Sequence, residues 1–271
     1  MKKDKKEKKG KKGKTWLIIL LVILGIILIA VAAIVIIANR NLKEINALVD
    51  ETVAKVSEGR TVTEVDAGDY SDMTAYGILK FHVTQYDIEN FGNLSVMTAN
   101  AGIMQMTTVV LSPFNKDLPL FSCDFMYILA SRTAYVEFYD LVAEKDDTYM
   151  SWIDRYEELN TKYSALEDTV PTPAWYDSFK TAGVYKTGST GDDAAIRDLL
   201  VDALSVYFEQ ADAYPLLSDS EKPAKIDRIK AYSDRLIDEG GVSTSFLKQS
   251  FGEEMLRDFF DKVFFGTEKY R

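Results

Sequence analysis

The sequence predicts an α+β fold, most simply a layered sandwich, preceded by one N-terminal transmembrane helix. Three observations support this prediction. A run without any charge extends from Trp16 to Ala38, a period-two hydrophobic pattern covers residues 75–142, and a helical period replaces it afterwards. Strands that are followed by helices, rather than alternating with them, indicate α+β and not a parallel α/β sheet.

The apolar run near the N-terminus predicts the membrane helix. Its 23 residues would reach roughly 35 Å as a helix, which exceeds a hydrocarbon core of about 30 Å. The first fourteen residues carry nine lysines against Asp4 and Glu7, and such a basic block stays on the cytoplasmic side. We therefore expect a single-pass cell-membrane protein with a cytoplasmic N-terminus and an extracytoplasmic C-terminal domain. A cleaved signal peptide is the alternative, but its apolar core usually has only about 7–15 residues.

The remainder of the chain is acidic and poor in metal ligands. From residue 39 onward, 23 Lys and Arg face 40 Asp and Glu, a formal charge of −17. This surface lacks the basic groups that phosphate binding needs, so no nucleic-acid partner is expected. Cys123 is the only cysteine and His82 the only histidine. No disulfide and no metal site are therefore expected, and His82 is interpreted as a surface or structural residue.

The elements follow in order. Apolar residues spaced three and four apart from Leu42 predict a juxtamembrane helix that ends near Gly59, and residues 64–72 are expected to form a loop. Alternation then predicts a hairpin of residues 94–99 and 103–111, and a second hairpin of residues 118–129 and 134–142 with its turn at 131–133. Such consecutive strands make an antiparallel sheet.

Helical patterns fill the second half, around residues 152–163, 196–208, 226–236 and from 255 onward. The predicted organisation is a basic cytoplasmic tail (1–15), a transmembrane helix (16–38), a juxtamembrane helix with a linker (39–72), and a globular domain (73–271).

Several segments occur in an order that resembles a known family. Residues 109–124 read VVLSPFNKDLPLFSCD, and they are followed by Ala134 to Leu141, by Pro173-Ala174-Trp175 with Phe179, and by Phe251-Gly252 and Val263-Phe264-Phe265. Together they resemble the ferredoxin-dependent bilin reductases, a group that includes proteins like red chlorophyll catabolite reductase. Each motif alone is weak, and the ordered series over about residues 94–265 carries the resemblance.

The resemblance implies a three-layer α/β/α sandwich with a central antiparallel sheet. An open-chain tetrapyrrole would lie between this sheet and the C-terminal helices. It also implies that no cofactor is bound and that an external electron donor, ferredoxin in the family, supplies the electrons. Asp124 matches the family's central aspartate and is expected to donate a proton to the ligand. A carboxyl group can do so only if its pKa is raised towards neutrality.

Three further residues are expected to contact the substrate. Thr107 and Ser95 occupy positions where one branch of the family has a catalytic histidine and a glutamate. Met97 lies beside them, and its soft thioether suits a flat macrocycle, although core packing would explain it equally well. Cys123 is expected on the sheet face opposite to Asp124, because side chains alternate along a strand.

Two functional hypotheses follow. The first is a membrane-anchored protein that binds an open-chain tetrapyrrole, or a similar planar hydrophobic ligand, and reduces it with Asp124 as proton donor. The second is a non-catalytic extracytoplasmic ligand-binding or interaction domain on the same fold. Asp124 would then be an ordinary structural carboxylate, paired with Arg132 or Lys145. An extracytoplasmic location favours an electron-donor protein other than the cytoplasmic ferredoxin.

Overall fold

The computed structural model describes residues 3–241 and 243–271, without the side chains of residues 3–15, 17 and 18. Its described part contains one antiparallel sheet of nine strands and seven α-helices. The strands β1–β9 are Val62–Val65, Asp72–Ala75, Leu79–Ile88, Gly92–Asn100, Met104–Ser112, Leu120–Ile128, Ser131–Tyr139, Glu167–Asp168 and Lys180–Ser189. The helices α1–α7 are Lys3–Ser57, Asp147–Lys162, Asp193–Ala213, Lys222–Glu239, Thr244–Phe251, Glu253–Phe259 and Thr267–Tyr270.

The sheet is mainly a meander. Its strand order is β1-β3-β4-β5-β6-β7-β9-β8, and β2 pairs with β3 beside β1. Strands β3 to β7 follow one another along the chain and pair in that order, as the period-two pattern predicts. One cross-strand pair matters for the site: Thr108 on β5 lies opposite Asp124 on β6. The antiparallel sheet expected over residues 75–142 is confirmed.

Helices cover both faces of the sheet, which gives the expected three layers. We call the two faces the anchor face and the groove face. Buried residues of α1, α2 and α3 pack on the anchor face with Val109, Cys123 and Phe125. Buried residues of α4, α5 and α6, and of a π-helical turn at Phe260–Phe264, pack on the groove face with Met97 and Val110. Cys123 thus faces away from the groove face, as predicted.

Helix α1 is unbroken from the apolar run into the domain. Among the described residues, it is the one helix long and apolar enough to cross a membrane, judged by length and composition. Most of the described side chains of the apolar run are exposed, whereas Asn41, Ile45, Leu48 and Val56 are completely or almost completely buried. Ion pairs Arg40–Asp193 and Glu44–Arg197 hold α1 beside α3. Residues 41–57 are therefore part of the folded domain rather than a linker to it.

Three sequence predictions need correction. Strand β9 lies in the half that was expected to be helical. The region 64–72, expected as a loop, contains the end of β1, a 3-10 turn and the start of β2. The turn predicted at 131–133 lies at residues 129–130 instead, because Arg132 is buried within β7 and bonded to Asp193.

Candidate functional site

A groove runs between the groove face of the sheet and a helical layer formed by α4, α5 and the π-helical turn. It consists of three adjoining recesses, and Ser243 lines all of them. The central recess has Asp124 and Glu137 on the sheet side and Tyr232 and Phe260 opposite them, and its mouth is open to solvent.

The two outer recesses differ in chemistry. The polar recess is lined by Asp124, Glu137 and Lys180. The methionine recess is lined by Met97, Met104 and Met106 with several aromatic and aliphatic residues. Thioether and aromatic side chains adapt to flat apolar ligands. The groove therefore offers a charged end, a carboxylate-lined centre and an apolar end.

Asp124 lies at the centre of the groove and is partly buried. The pKa of its carboxyl group is raised to about 6. Burial is the largest cause, the hydrogen bond from Thr108 opposes it, and the negative charge of Glu137 adds to it. The Thr108 hydroxyl donates this bond at 2.5 Å. The basic residues considered as partners for Asp124 are engaged elsewhere: Arg132 pairs with Asp193, and Lys145 pairs with Asp140. Asp124 can therefore hold a proton close to neutral pH.

Glu137 is the second carboxylate of the groove, and its surroundings are different. It lies opposite Ser122 on the neighbouring strand, one diagonal step from Asp124. The Lys180 ammonium lies 2.8 Å from Oε1, and the Tyr139 hydroxyl donates to Oε2 at 2.6 Å. Burial lowers the pKa of Lys180, but Glu137 and Asp177 outweigh it and raise that pKa overall. Lys180 thus compensates the charge of Glu137, whereas Asp124 has no ion pair among the described residues. In enzyme sites, such a difference in surroundings moves the pKa values of two carboxyl groups apart.

Aromatic rings pack beside the carboxylates, and those of Tyr139 and Tyr232 line the central recess. The rings of Tyr139 and Tyr232 lie 5.0 Å apart, and Trp175 lies 5.9 Å from Tyr232. The Trp175 indole donates to the Gly240 carbonyl at 2.7 Å, which fixes its orientation. Burial raises the pKa values of Tyr139 and Tyr232, so both keep their hydroxyl protons. Tyr139 and Tyr232 thus bring aromatic rings and protonated hydroxyl groups to the central recess.

The predicted substrate contacts separate into three locations. Met97 lines the central and methionine recesses. Ser95 is on the same face but completely buried beneath the groove, opposite Val110. Thr107 lies opposite Phe125 on the anchor face, so its side chain points away from Asp124. The assignment of Thr107 is therefore corrected to Thr108, because a shift of one residue along a strand changes the face.

Sequence reasoning missed Glu137, Lys180, Tyr232 and Ser243. A signal existed for Glu137, which interrupts the apolar stretch of β7 at a position that faces the same side as Tyr135 and Tyr139. Lys180 was not found because β9 was not predicted. Among the described residues, no cluster of three or more His, Cys, Asp and Glu side chains could hold a metal ion. His82 is exposed, with Nδ1 lying 3.1 Å from Asp72, as its interpretation as a surface residue predicts.

Comparisons with known proteins agree with this fold. No family model matches the sequence, and no curated protein matches it. Among solved structures, the chain is similar to tomato phytochromobilin synthase, crystallised in complex with biliverdin. The TM-score is 0.65 at 13% sequence identity, and the match covers 84% of each chain. At this identity, the likeness shows that the two proteins share an α+β fold and are distantly similar in architecture.

Proposed function

We propose that this membrane-anchored protein binds an open-chain tetrapyrrole in the groove and reduces it, with Asp124 as the proton donor. The observation that carries this proposal is a groove between the sheet and the helices that holds a partly buried carboxyl group whose pKa is raised to about 6. The tomato protein of the same fold was crystallised with biliverdin, which supports a ligand of this class. The aromatic and methionine walls suit its planar rings.

The residues of the groove have distinct parts in this chemistry. Reduction of one double bond takes up two electrons and two protons. Asp124 supplies one of those protons, and water in the open groove supplies the other. With a pKa of about 6, roughly a tenth of the carboxyl groups are protonated at pH 7, which suffices for general acid catalysis. Thr108 orients the carboxyl group. The negative charge of Glu137, held in place by Lys180, favours the protonated form of Asp124.

The electrons must come from an external donor protein, and the family resemblance implies single-electron delivery by ferredoxin. Because the domain lies outside the cytoplasm in this proposal, a one-electron carrier other than ferredoxin delivers the electrons. After proton transfer, the Asp124 carboxylate keeps its hydrogen bond from Thr108. The open mouth of the groove lets solvent restore the proton.

The first test is an absorption titration of the full chain in detergent micelles with biliverdin. We expect a saturable change of the pigment spectrum at micromolar protein. With reduced ferredoxin as electron donor, the bound pigment should be converted, and Asp124→Asn should bind the pigment equally well yet convert it about 10²- to 10⁴-fold more slowly. The amide keeps the shape and can still accept from Thr108, but it has no acidic proton.

Asp72→Asn is the matched control, since Asp72 is an exposed aspartate remote from the groove. Absence of any spectral change would refute the ligand class. Conversion by Asp124→Asn at the wild-type rate would refute the assigned proton donor.

The second candidate is a non-catalytic ligand-binding domain on the same fold. One observation favours it: of the four residues that the sequence assigned to the site, Asp124 alone carries an ionisable side chain. In this case biliverdin binds, but neither ferredoxin nor a chemical one-electron reductant converts it, and Asp124→Asn leaves the pigment spectrum unchanged.

A further inference from the structure

Three apolar turns lie at the same end of the sheet. They are residues 76–78 between β2 and β3, residues 101–103 between β4 and β5, and residues 129–130 between β6 and β7. The pairing of Lys80 with Asn100 and of Met104 with Ile128 brings them together. Exposure reaches 65% for Tyr76, 74% for Ile78, 50% for Ile103 and 37% for Leu129. We call these four residues the apolar rim.

The rim differs from the turns at the opposite end of the sheet. No charged residue occurs in the three rim turns. At the other end, Glu89 lies between β3 and β4, Lys116 and Asp117 lie between β5 and β6, and four charged residues follow β7 at positions 144–147. The absence of charge therefore distinguishes these three turns from the turns at the opposite end, although the turn after β9 at the rim end carries Asp192.

Helix α1 leaves the domain at the rim. The Arg40 guanidinium donates to the carbonyl of Thr190, just after β9, and the Asn41 amide donates to the carbonyl of Leu129 at 3.0 Å. The uncharged run ends at Ala38, three residues before Asn41. Three helical residues span about 4–5 Å. The rim thus surrounds the place where the membrane helix emerges.

Two rim residues adopt backbone conformations that disfavour large side chains. Tyr76 has φ of 53° and Leu129 has φ of 50°, in the left-handed region where glycine is the relaxed choice. A tyrosine and a leucine at such positions indicate that their side chains serve a purpose other than completing the turn.

We propose that the apolar rim is seated in the interfacial layer of the bilayer that α1 crosses, with its side chains among the lipid headgroups. The occupant of this surface is zwitterionic lipid, because a domain of charge −17 is repelled by anionic headgroups. Tyrosine is enriched at this depth of a membrane. The proposal rests on the membrane anchoring of the proposed function and not on its tetrapyrrole chemistry.

The test places a reporter at the rim and at a matched site. Ile78→Cys and Ile103→Cys introduce a thiol at the rim. Leu216→Cys does so at an exposed leucine of the opposite end, where Leu217 bonds to Asn115. The native Cys123 is buried, so a polarity-sensitive dye reacts at the new thiol. Each labelled full chain is reconstituted in phosphatidylcholine vesicles that contain lipids spin-labelled near the headgroup.

Dyes at positions 78 and 103 should shift to shorter wavelength and lose emission to the spin label, as expected about 5–10 Å into the headgroup region. The dye at position 216 should do neither. Equal quenching at 103 and 216, or none at 103, overturns the proposal. Vesicle flotation reports the anchor separately, and a chain that fails to float contradicts both the anchor and the seated rim. Binding of biliverdin has no bearing on either result.

Discussion

Asp124 shows how one carboxyl group becomes an acid at neutral pH without any unusual partner. Burial at the foot of a groove and the charge of Glu137 raise its pKa, and a single hydroxyl bond opposes them. Burial is the largest of these effects, so the position of Asp124 in the fold accounts for most of the rise in its pKa.

This raised pKa links Asp124 to stability. The pKa is about 6 in the fold against 3.8 for an unperturbed aspartate, so the folded state binds the proton more tightly than the unfolded state. The stability contributed by Asp124 is then complete below about pH 4 and is lost as pH rises through 6. The Asp124→Asn variant does not lose stability in this way, because its amide group does not ionise. At pH 8 it should be more stable than wild type by on the order of 1–3 kcal/mol.

Urea unfolding of a domain that starts at residue 39, at pH 8 and at pH 4, measures this difference. The two proteins should converge at pH 4, and Asp72→Asn should match wild type at both. A variant less stable than wild type at pH 8 would show that Asp124 is not destabilised by ionisation.

The resemblance selected Asp124, which lies in the groove, and strand alternation correctly placed Cys123 on the opposite face. The same alternation explains why Thr107 was assigned to the groove wrongly. Neighbouring residues of a strand face opposite sides of the sheet, so an alignment error of one residue puts the side chain on the wrong face. Ser95 shows another limit. A polar residue within a strand can lie on the correct face and still be covered completely, as Ser95 is.

At the scale of elements, β7 depends on an ion pair with the start of α3. Arg132 is completely buried, and its guanidinium donates to Asp193 at 2.6 Å and to Asn41 at 2.8 Å. It also stacks on Tyr127 at 4.1 Å. One side chain thereby joins α1, the sheet and α3.

Arg132→Met should destabilise the domain by about 3–5 kcal/mol, because it leaves the buried Asp193 without its main partner. Arg155→Met is the matched control, since Arg155 also pairs with a carboxylate and stacks on a ring but is exposed. That control should cost less than about 1 kcal/mol. Chemical denaturation of both variants decides the question, and equal losses would mean that burial adds nothing to the Arg132 pair.

The meander was predictable because each of its strands pairs with a neighbour along the chain. Strand β9 was not predictable, for two reasons. It pairs with β7 across an intervening helix, and its hydrophobic alternation is weak, because its buried side consists of Ala182, Val184 and Lys186 and two glycines lie nearby. Lys186 is buried because Asp168 binds it, a contact that local sequence does not reveal. Arg132 was misjudged for the same reason, as its partner lies 61 residues away.

The domain boundary can be tested directly. Ile45, Leu48 and Val56 of α1 are almost completely buried, and burying each stabilises the fold by about 1.5–3 kcal/mol. Their combined loss approaches the total stability of an ordinary domain, about 5–15 kcal/mol. A chain that starts at residue 39 should therefore melt cooperatively by circular dichroism, and one that starts at residue 73 should not. Similar melting of both would make residues 39–72 dispensable to the fold.

At the scale of the whole molecule, the orientation remains a prediction from the lysine block. With a cytoplasmic N-terminus, protease added to intact cells, after removal of any outer wall, should digest the domain from Asn39 onward. Digestion of a known cytoplasmic protein only after lysis is the control. If the domain is equally protected until lysis, it lies inside the cell and ferredoxin becomes an accessible electron donor.

The continuity of α1 bears on the distance between the groove and the membrane. No break separates the apolar run from the buried part of the helix, so the domain cannot swing freely on a tether. Asp124 lies four residues from Ile128 along β6, which is about 13 Å at the rise of a strand. A domain resting on its apolar rim would therefore hold Asp124 at about this distance from the membrane surface. Partners would then meet the groove by lateral diffusion, and an electron carrier confined to the same membrane would search two dimensions instead of three.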